Sequence, residues 1–103
     1  MAKITEIKLD KERHLKYGFN ALIELEKTIN RPLSELDEGL SMSDLRALLY
    51  VGLKWEDTNL TEESVGDLID EGMENNEGGL EYIGETVGTA VAKSLGTAKF
   101  PSE

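Results

Sequence analysis

Apolar and polar positions alternate at the start of the chain and then change to helical spacing. Ile4, Glu6 and Lys8 alternate with Thr5, Ile7 and Leu9, and Asp10-Lys11-Glu12 makes a polar break before Arg13-His14-Leu15-Lys16-Tyr17. A period of two on either side of a polar break predicts a hairpin of two short strands, with Ile4 out of phase with Ile7 and Leu9. Two strands alone are not stable in water, so this hairpin must pack on helices or extend a sheet in another copy of the chain. After Gly18, the residues Phe19, Leu22, Ile23, Leu25 and Ile29 recur near helical spacing, with Glu24, Glu26 and Lys27 outside them. A first helix is predicted here, ended by Asn30-Arg31-Pro32 because proline disfavours helix in the residue before it. The stretch 32–36 adds one short turn that places Leu33 and Leu36 in the core.

The segment around which the rest is organised runs from Ser41 to Trp55. Ser41 with Asp44, or Ser43, can cap a first helical turn. From Leu45 to Trp55 only Arg46 and Lys54 are charged, so apolar residues wrap the cylinder, as expected of a helix covered on several sides. Tyr50 and Trp55 are packing residues in the plain reading, and candidate partner contacts in the functional one. A third helix begins at Thr61, an N-cap followed by Glu62 and Glu63 in the dipole-favoured first turn. Its apolar stripe is Val65, Leu68, Ile69 and Met73, and residues 75–79 break it. A last helix runs from about Leu80 to Leu95, with Gly84, Gly88 and Ala92 four apart on one face that would admit another backbone, before Gly96 stops it. The predicted architecture is mainly α with a small β part (α+β): an N-terminal hairpin and about four helices around a central apolar helix, one domain over residues 1–96 and a frayed tail over 97–103.

Charge sharpens this picture. The 103-residue chain has a net charge of −10 and contains no cysteine and one histidine. Residues 1–54 balance, residues 55–92 hold eleven acids and no Lys or Arg, and residues 93–103 carry +1. An acidic block repels nucleic-acid phosphate and anionic lipid, so neither nucleic acid nor membrane is an expected partner. Asp67, Asp70, Glu71 and Glu74 form its solubilising face on the third helix. Without cysteine there is no disulfide framework and no thiolate chemistry. The N-terminus has no signal-peptide core and no apolar run approaches about 20 residues, so a soluble, intracellular protein is expected.

The search for chemistry is negative. Asp57, Asn59 and Thr61 start like a calcium loop, but its sixth position is Glu62 and its twelfth is Leu68. Ser64-Val65-Gly66-Asp67 lacks the residue order of a carrier-protein serine. His14 sits on a polar strand edge without a second histidine, and no phosphate loop or nucleophile–base pair appears. No catalytic residue, cofactor or metal is assigned, and an enzyme is not expected.

Several short motifs do resemble a known family. Ile4-Thr5-Glu6-Ile7, Tyr17-Gly18-Phe19-Asn20-Ala21-Leu22 with Leu25-Glu26, Leu40 through Arg46, Tyr50-Val51-Gly52-Leu53 and Leu60 through Gly66 occur in an order and spacing similar to those of the tail assembly chaperones of long-tailed phages and prophages. The resemblance covers residues 3 to about 95. It implies a small helical, non-catalytic protein of the host cytoplasm that binds the tape measure protein during tail morphogenesis and is absent from the mature virion. It also implies that a longer, frameshifted form exists in many members. A homo-oligomer could form through the hairpin edge or through the face of Gly84, Gly88 and Ala92. Two other classes remain open: an acidic inhibitor or nucleic-acid mimic that fills a basic groove, and a structural tail or head-completion protein.

Overall fold

The computed structural model describes residues 4–33 and 41–94. Strands β1 (Ile4–Lys8) and β2 (Glu12–Lys16) pair antiparallel in the register Ile4↔Lys16, Glu6↔His14, Lys8↔Glu12. Helices α1 (Phe19–Ile29), α2 (Met42–Leu53), α3 (Glu62–Asn75) and α4 (Gly79–Ser94) follow. The fold is mainly α with a small β part, as the hydrophobic pattern predicts. Leu36, Leu95, Gly96 and the tail 97–103 lie outside the described residues.

The alternation in β1 and β2 decides which hairpin face is covered. Ile7, Arg13 and Leu15 turn inward, Ile4 stands 53% exposed, and Leu9 and Tyr17 continue the buried face just beyond the strands. Arg13 is the one buried charged residue among those described. Its guanidinium donates to both Asp10 oxygens at 2.8 and 3.0 Å and reaches Asp57 Oδ2 at 3.5 Å, so the buried cation is paired on two sides. The same contact holds the Asp10 carboxyl below the ordinary carboxylate range.

Helical side chains also terminate the hairpin edges. His14 N–H donates to Glu56 Oε1 at 3.2 Å and its carbonyl accepts from Trp55 Nε1 at 3.0 Å. On the β1 side, Lys8 N–H donates to the Tyr82 hydroxyl at 3.0 Å, and the Lys8 and Leu9 carbonyls accept from Asn76 and Asn75. These bonds occupy backbone groups that an added strand would need.

The helix boundaries follow local signals. Asn30 caps α1 in the left-handed conformation, φ 62°, its N–H bonding the Glu26 carbonyl. Of the two candidate caps of α2, Ser41 is the one used, in a reciprocal box with Asp44. Thr61 caps α3 with Ser64 in the same way. Helix α2 ends at Leu53, two residues earlier than expected, where the Leu53 carbonyl is shared between the N–H groups of Glu56, in a tighter three-residue turn, and Asp57. Trp55 therefore leaves the core helix and stands 43% exposed.

Helix α2 packs against β2, α1, α3 and α4. Leu45, Ala47, Leu48, Leu49, Val51 and Leu53 are buried around its circumference, which makes it the centre of the core. The surrounding stripes are narrower than predicted. At about 100° per residue, Phe19 and Ile23 lie roughly a quarter turn or more from the line through Leu22, Leu25 and Ile29. They are accordingly 77% and 39% exposed. On α3, Gly72 takes the buried place beside Val65 and Leu68, and Met73 is 38% exposed.

Candidate partner-binding grooves

Two apolar grooves flank α2. One, of about 560 Å3, lies between the end of β2, α1 and the C-terminal turn of α2, and Tyr50, Val51, Trp55, Ala21 and Leu60 line it. Tyr50 is half-buried and packs against the core cluster. Trp55 is fixed by its bond to the His14 carbonyl. Lys16 Nζ stands 4.9 Å over the Trp55 ring and Lys54 Nζ 5.4 Å over that of Tyr50, while Lys54 also pairs with Glu24. The rim is cationic over aromatic faces, in a protein whose net charge is strongly negative.

The other groove, of about 550 Å3, separates the N-terminal half of α2 from α3 and the start of α4. Met42, Leu45, Ile69, Met73 and Leu80 line it, with Arg46 and Asp70 at its margin. Met42 is 68% exposed. Unbranched methionines at a groove edge give an apolar surface that can adapt to partners of different shape. Arg46, which lines the groove, lies 3.7 Å from Glu62 in an exposed pair.

The residues singled out from sequence fall into three groups. Tyr50 and Trp55 are brought together in the first groove. Asp67, Asp70, Glu71 and Glu74 are all exposed on α3, and Asp70 borders the second groove. Gly84, Gly88 and Ala92 do not form one open face: a Cβ on Gly84 would meet nothing within 4 Å, Gly88 is half-buried, and Ala92 is already buried in its own chain at 2% exposure. The close approaches occur elsewhere. A Cβ on Gly52 would stand 2.6 Å from the Tyr17 ring and hydroxyl, and one on Gly72 would stand 2.8 Å from Leu9 Cδ2.

Sequence reasoning missed Met42, Ile69, Met73 and Leu80 as one surface, because they come from three helices. The available signal was Met42 at the first position of α2, three residues ahead of Leu45, where the apolar run that enters the core begins. Also missed was a group on the hairpin, Glu6, Glu12 and His14, the one set of metal-ligating side chains found together among the described residues. Glu56 bonds the His14 ring at 2.7 Å and raises its pKa above the ordinary imidazole value.

Among the described residues no helix is long and apolar enough to cross a membrane. Comparison with family models, curated proteins and solved structures finds no match.

Proposed function

We propose that this protein is a non-catalytic phage tail assembly chaperone that binds the tape measure protein in the host cytoplasm during tail morphogenesis. The observation that carries the proposal is the pair of apolar grooves flanking α2, which leave Met42 68%, Trp55 43% and Met73 38% exposed on a strongly acidic chain. Isolated apolar residues on a surface are ordinary, but residues from several elements that converge on one groove form a surface suited to an amphipathic partner helix. The exposed acids of α3 keep such a chain dispersed while its grooves remain open. The family resemblance supplies the identity of the partner.

Co-expression with the tape measure protein encoded downstream tests the proposal. That partner should remain soluble and co-purify, and the complex should persist in salt above about 0.5 M, where the Debye length falls to roughly 4 Å and exposed charge pairing is screened. Dissociation by salt would favour instead an acidic mimic that occupies a basic groove through Asp67, Asp70, Glu71 and Glu74. Recovery of the protein in purified virions would favour a structural tail or head-completion role.

A further inference from the structure

The solvent face of the hairpin carries a group that the chaperone role does not use. Glu6 stands directly across from His14 in the strand register, and Glu12 precedes His14 by two on the same face. Because the backbone N–H and carbonyl of His14 are turned away from β1, toward Glu56 and Trp55, Glu6 and His14 form a non-hydrogen-bonded pair. In antiparallel sheets this is the kind of pair whose side chains approach most closely. Donor atoms of Glu6, Glu12 and His14 all lie within 4.8 Å of one another, and His14 Nε2 is 3.4 Å from Glu12 Oε2. Around a tetrahedral ion with bonds of about 2.0–2.1 Å, neighbouring donors sit roughly 3.3–3.4 Å apart. The imidazole and Glu12 already have that spacing, and an exposed Glu6 carboxylate oxygen lies within 4.8 Å of both.

The orientation of the ring adds a further constraint. Nδ1 is 2.7 Å from Glu56 Oε2, so in the neutral imidazole the proton sits on Nδ1 and the Nε2 lone pair faces the two glutamates. A carboxylate behind the imidazole that fixes its tautomer and aims the other nitrogen is the usual support of a metal-bound histidine. Glu56 comes from the connector after α2, so the helical body holds the ring in place. The Glu6 and Glu12 carboxylates and the imidazole thus converge on one point of the hairpin's solvent face. Lys8, opposite Glu12 in the register, and Lys16, two residues after His14 on the same face, are the cationic residues of that face that oppose a metal.

We propose that Glu6, Glu12 and His14 form a binding site for a divalent transition-metal ion of the Zn2+ class, with Glu56 as the residue that positions the imidazole. The imidazole donor favours such an ion over Mg2+ or Ca2+, which prefer all-oxygen shells. Three protein ligands leave a fourth position for water or for a donor from a partner. This site is independent of the two grooves and stands whether or not the protein binds a tape measure.

The single histidine makes the test direct. Tag-free protein at about pH 7.5 is titrated with Zn2+, which competes with the proton for the ring nitrogen, while the His14 ring resonances are followed by NMR. Zn2+ should shift the Nε2 resonance saturably, and Mg2+ should leave it in place. Glu6→Gln and Glu12→Gln should each weaken binding at least about tenfold, and Glu56→Ala should do so by about 10–100-fold while leaving all three ligands present. Far-UV circular dichroism confirms that the exposed-site variants remain folded. Ring resonances unmoved by millimolar Zn2+ would overturn the assignment. So would Zn2+ affinity unchanged in Glu6→Gln, Glu12→Gln and His14→Gln, which would place the ion on the acidic helices.

Discussion

Replacing Gly52 and Gly84 by alanine separates helix propensity from packing within one fold. Each is a helical glycine, so in an open environment alanine should stabilise by about 0.5–1 kcal/mol. Gly84 has that environment, since nothing lies within 4 Å of a Cβ built there. Gly52 does not. Its missing side chain opens a notch on α2 through which the buried Tyr17 ring reaches the helix backbone and donates its hydroxyl proton to the Leu48 carbonyl, one turn earlier. A Cβ would press on Tyr17 Cζ and Oη at 2.6 Å and on Leu15 Cδ2 at 2.8 Å, and neither fully buried side chain has space to retreat. Overpacking costs about 1–3 kcal/mol. Pushing the phenol off its acceptor adds about 1–3 kcal/mol for a buried hydroxyl left unpaired. Against a propensity gain of at most about 1 kcal/mol, Gly52→Ala should therefore lose about 1–5 kcal/mol. Urea unfolding of both variants at equal m-value reads the two signs. Gly52→Ala as stable as the parent, or Gly84→Ala less stable by more than about 1 kcal/mol, would refute the assigned packing.

Other outcomes follow from the same contacts. Leu48→Ala and Leu49→Ala, at 1% and 0% exposure, should each cost about 2–5 kcal/mol in thermal or chemical melts; losses below about 1 kcal/mol at both would mean the core is misplaced. The His14 pKa is raised from 6.5, first by its bond to Glu56 and also by Glu12, so the stability this provides is fully present below pH 6.5 and is lost as pH rises through the higher folded value. The melting temperature should thus fall as pH climbs from about 6.5, less so in His14→Gln, and an identical pH slope in parent and variant would remove His14 from the account. Asp10 titrates the other way. Its pKa is lowered from 3.8 by Arg13, so its contribution is present above pH 3.8 and lost only as pH falls through the depressed value, a loss that Asp10→Asn should abolish in acid unfolding.

Local chemistry was legible in the sequence, and long-range placement was not. Ser41 with Asp44 and Thr61 set helix starts through bonds made within a few residues, which is why these N-caps and the order of elements could be read directly, whereas α1 ends through left-handed Asn30 and not through the proline effect expected. The hairpin was readable for the same reason, since Ile7 and Leu9 alternate with charged neighbours. What the apolar pattern could not show was the width of each buried stripe. Phe19, Ile23 and Met73 are apolar at near-helical spacing, yet whether each is covered depends on where α2 and α4 lie. The four-residue spacing of Gly84, Gly88 and Ala92 suggested a contact with another chain, whereas the close approaches within this chain are set at Gly52 and Gly72 by Tyr17 and Leu9, 35 and 63 positions away. Arg13 was missed as a buried residue because its two carboxylate partners flank it at separations of 3 and 44 residues. The second groove draws Met42, Ile69 and Leu80 from separate helices and has no sequence motif of its own.

The central claim is that apolar grooves, and not the acidic face, hold the partner. Two charge-changing sets of substitutions test it in a single pull-down from cells co-expressing the proposed partner, a tape measure protein. Met42→Glu with Met73→Glu alters exposed groove residues and should leave the melting temperature near that of the parent while abolishing recovery of soluble partner. Conversion of Asp67, Asp70, Glu71 and Glu74 to their amides should preserve the complex and reduce only solubility. Full recovery with the groove pair, together with loss in the amide variant, would contradict the account and assign binding to the charge of α3.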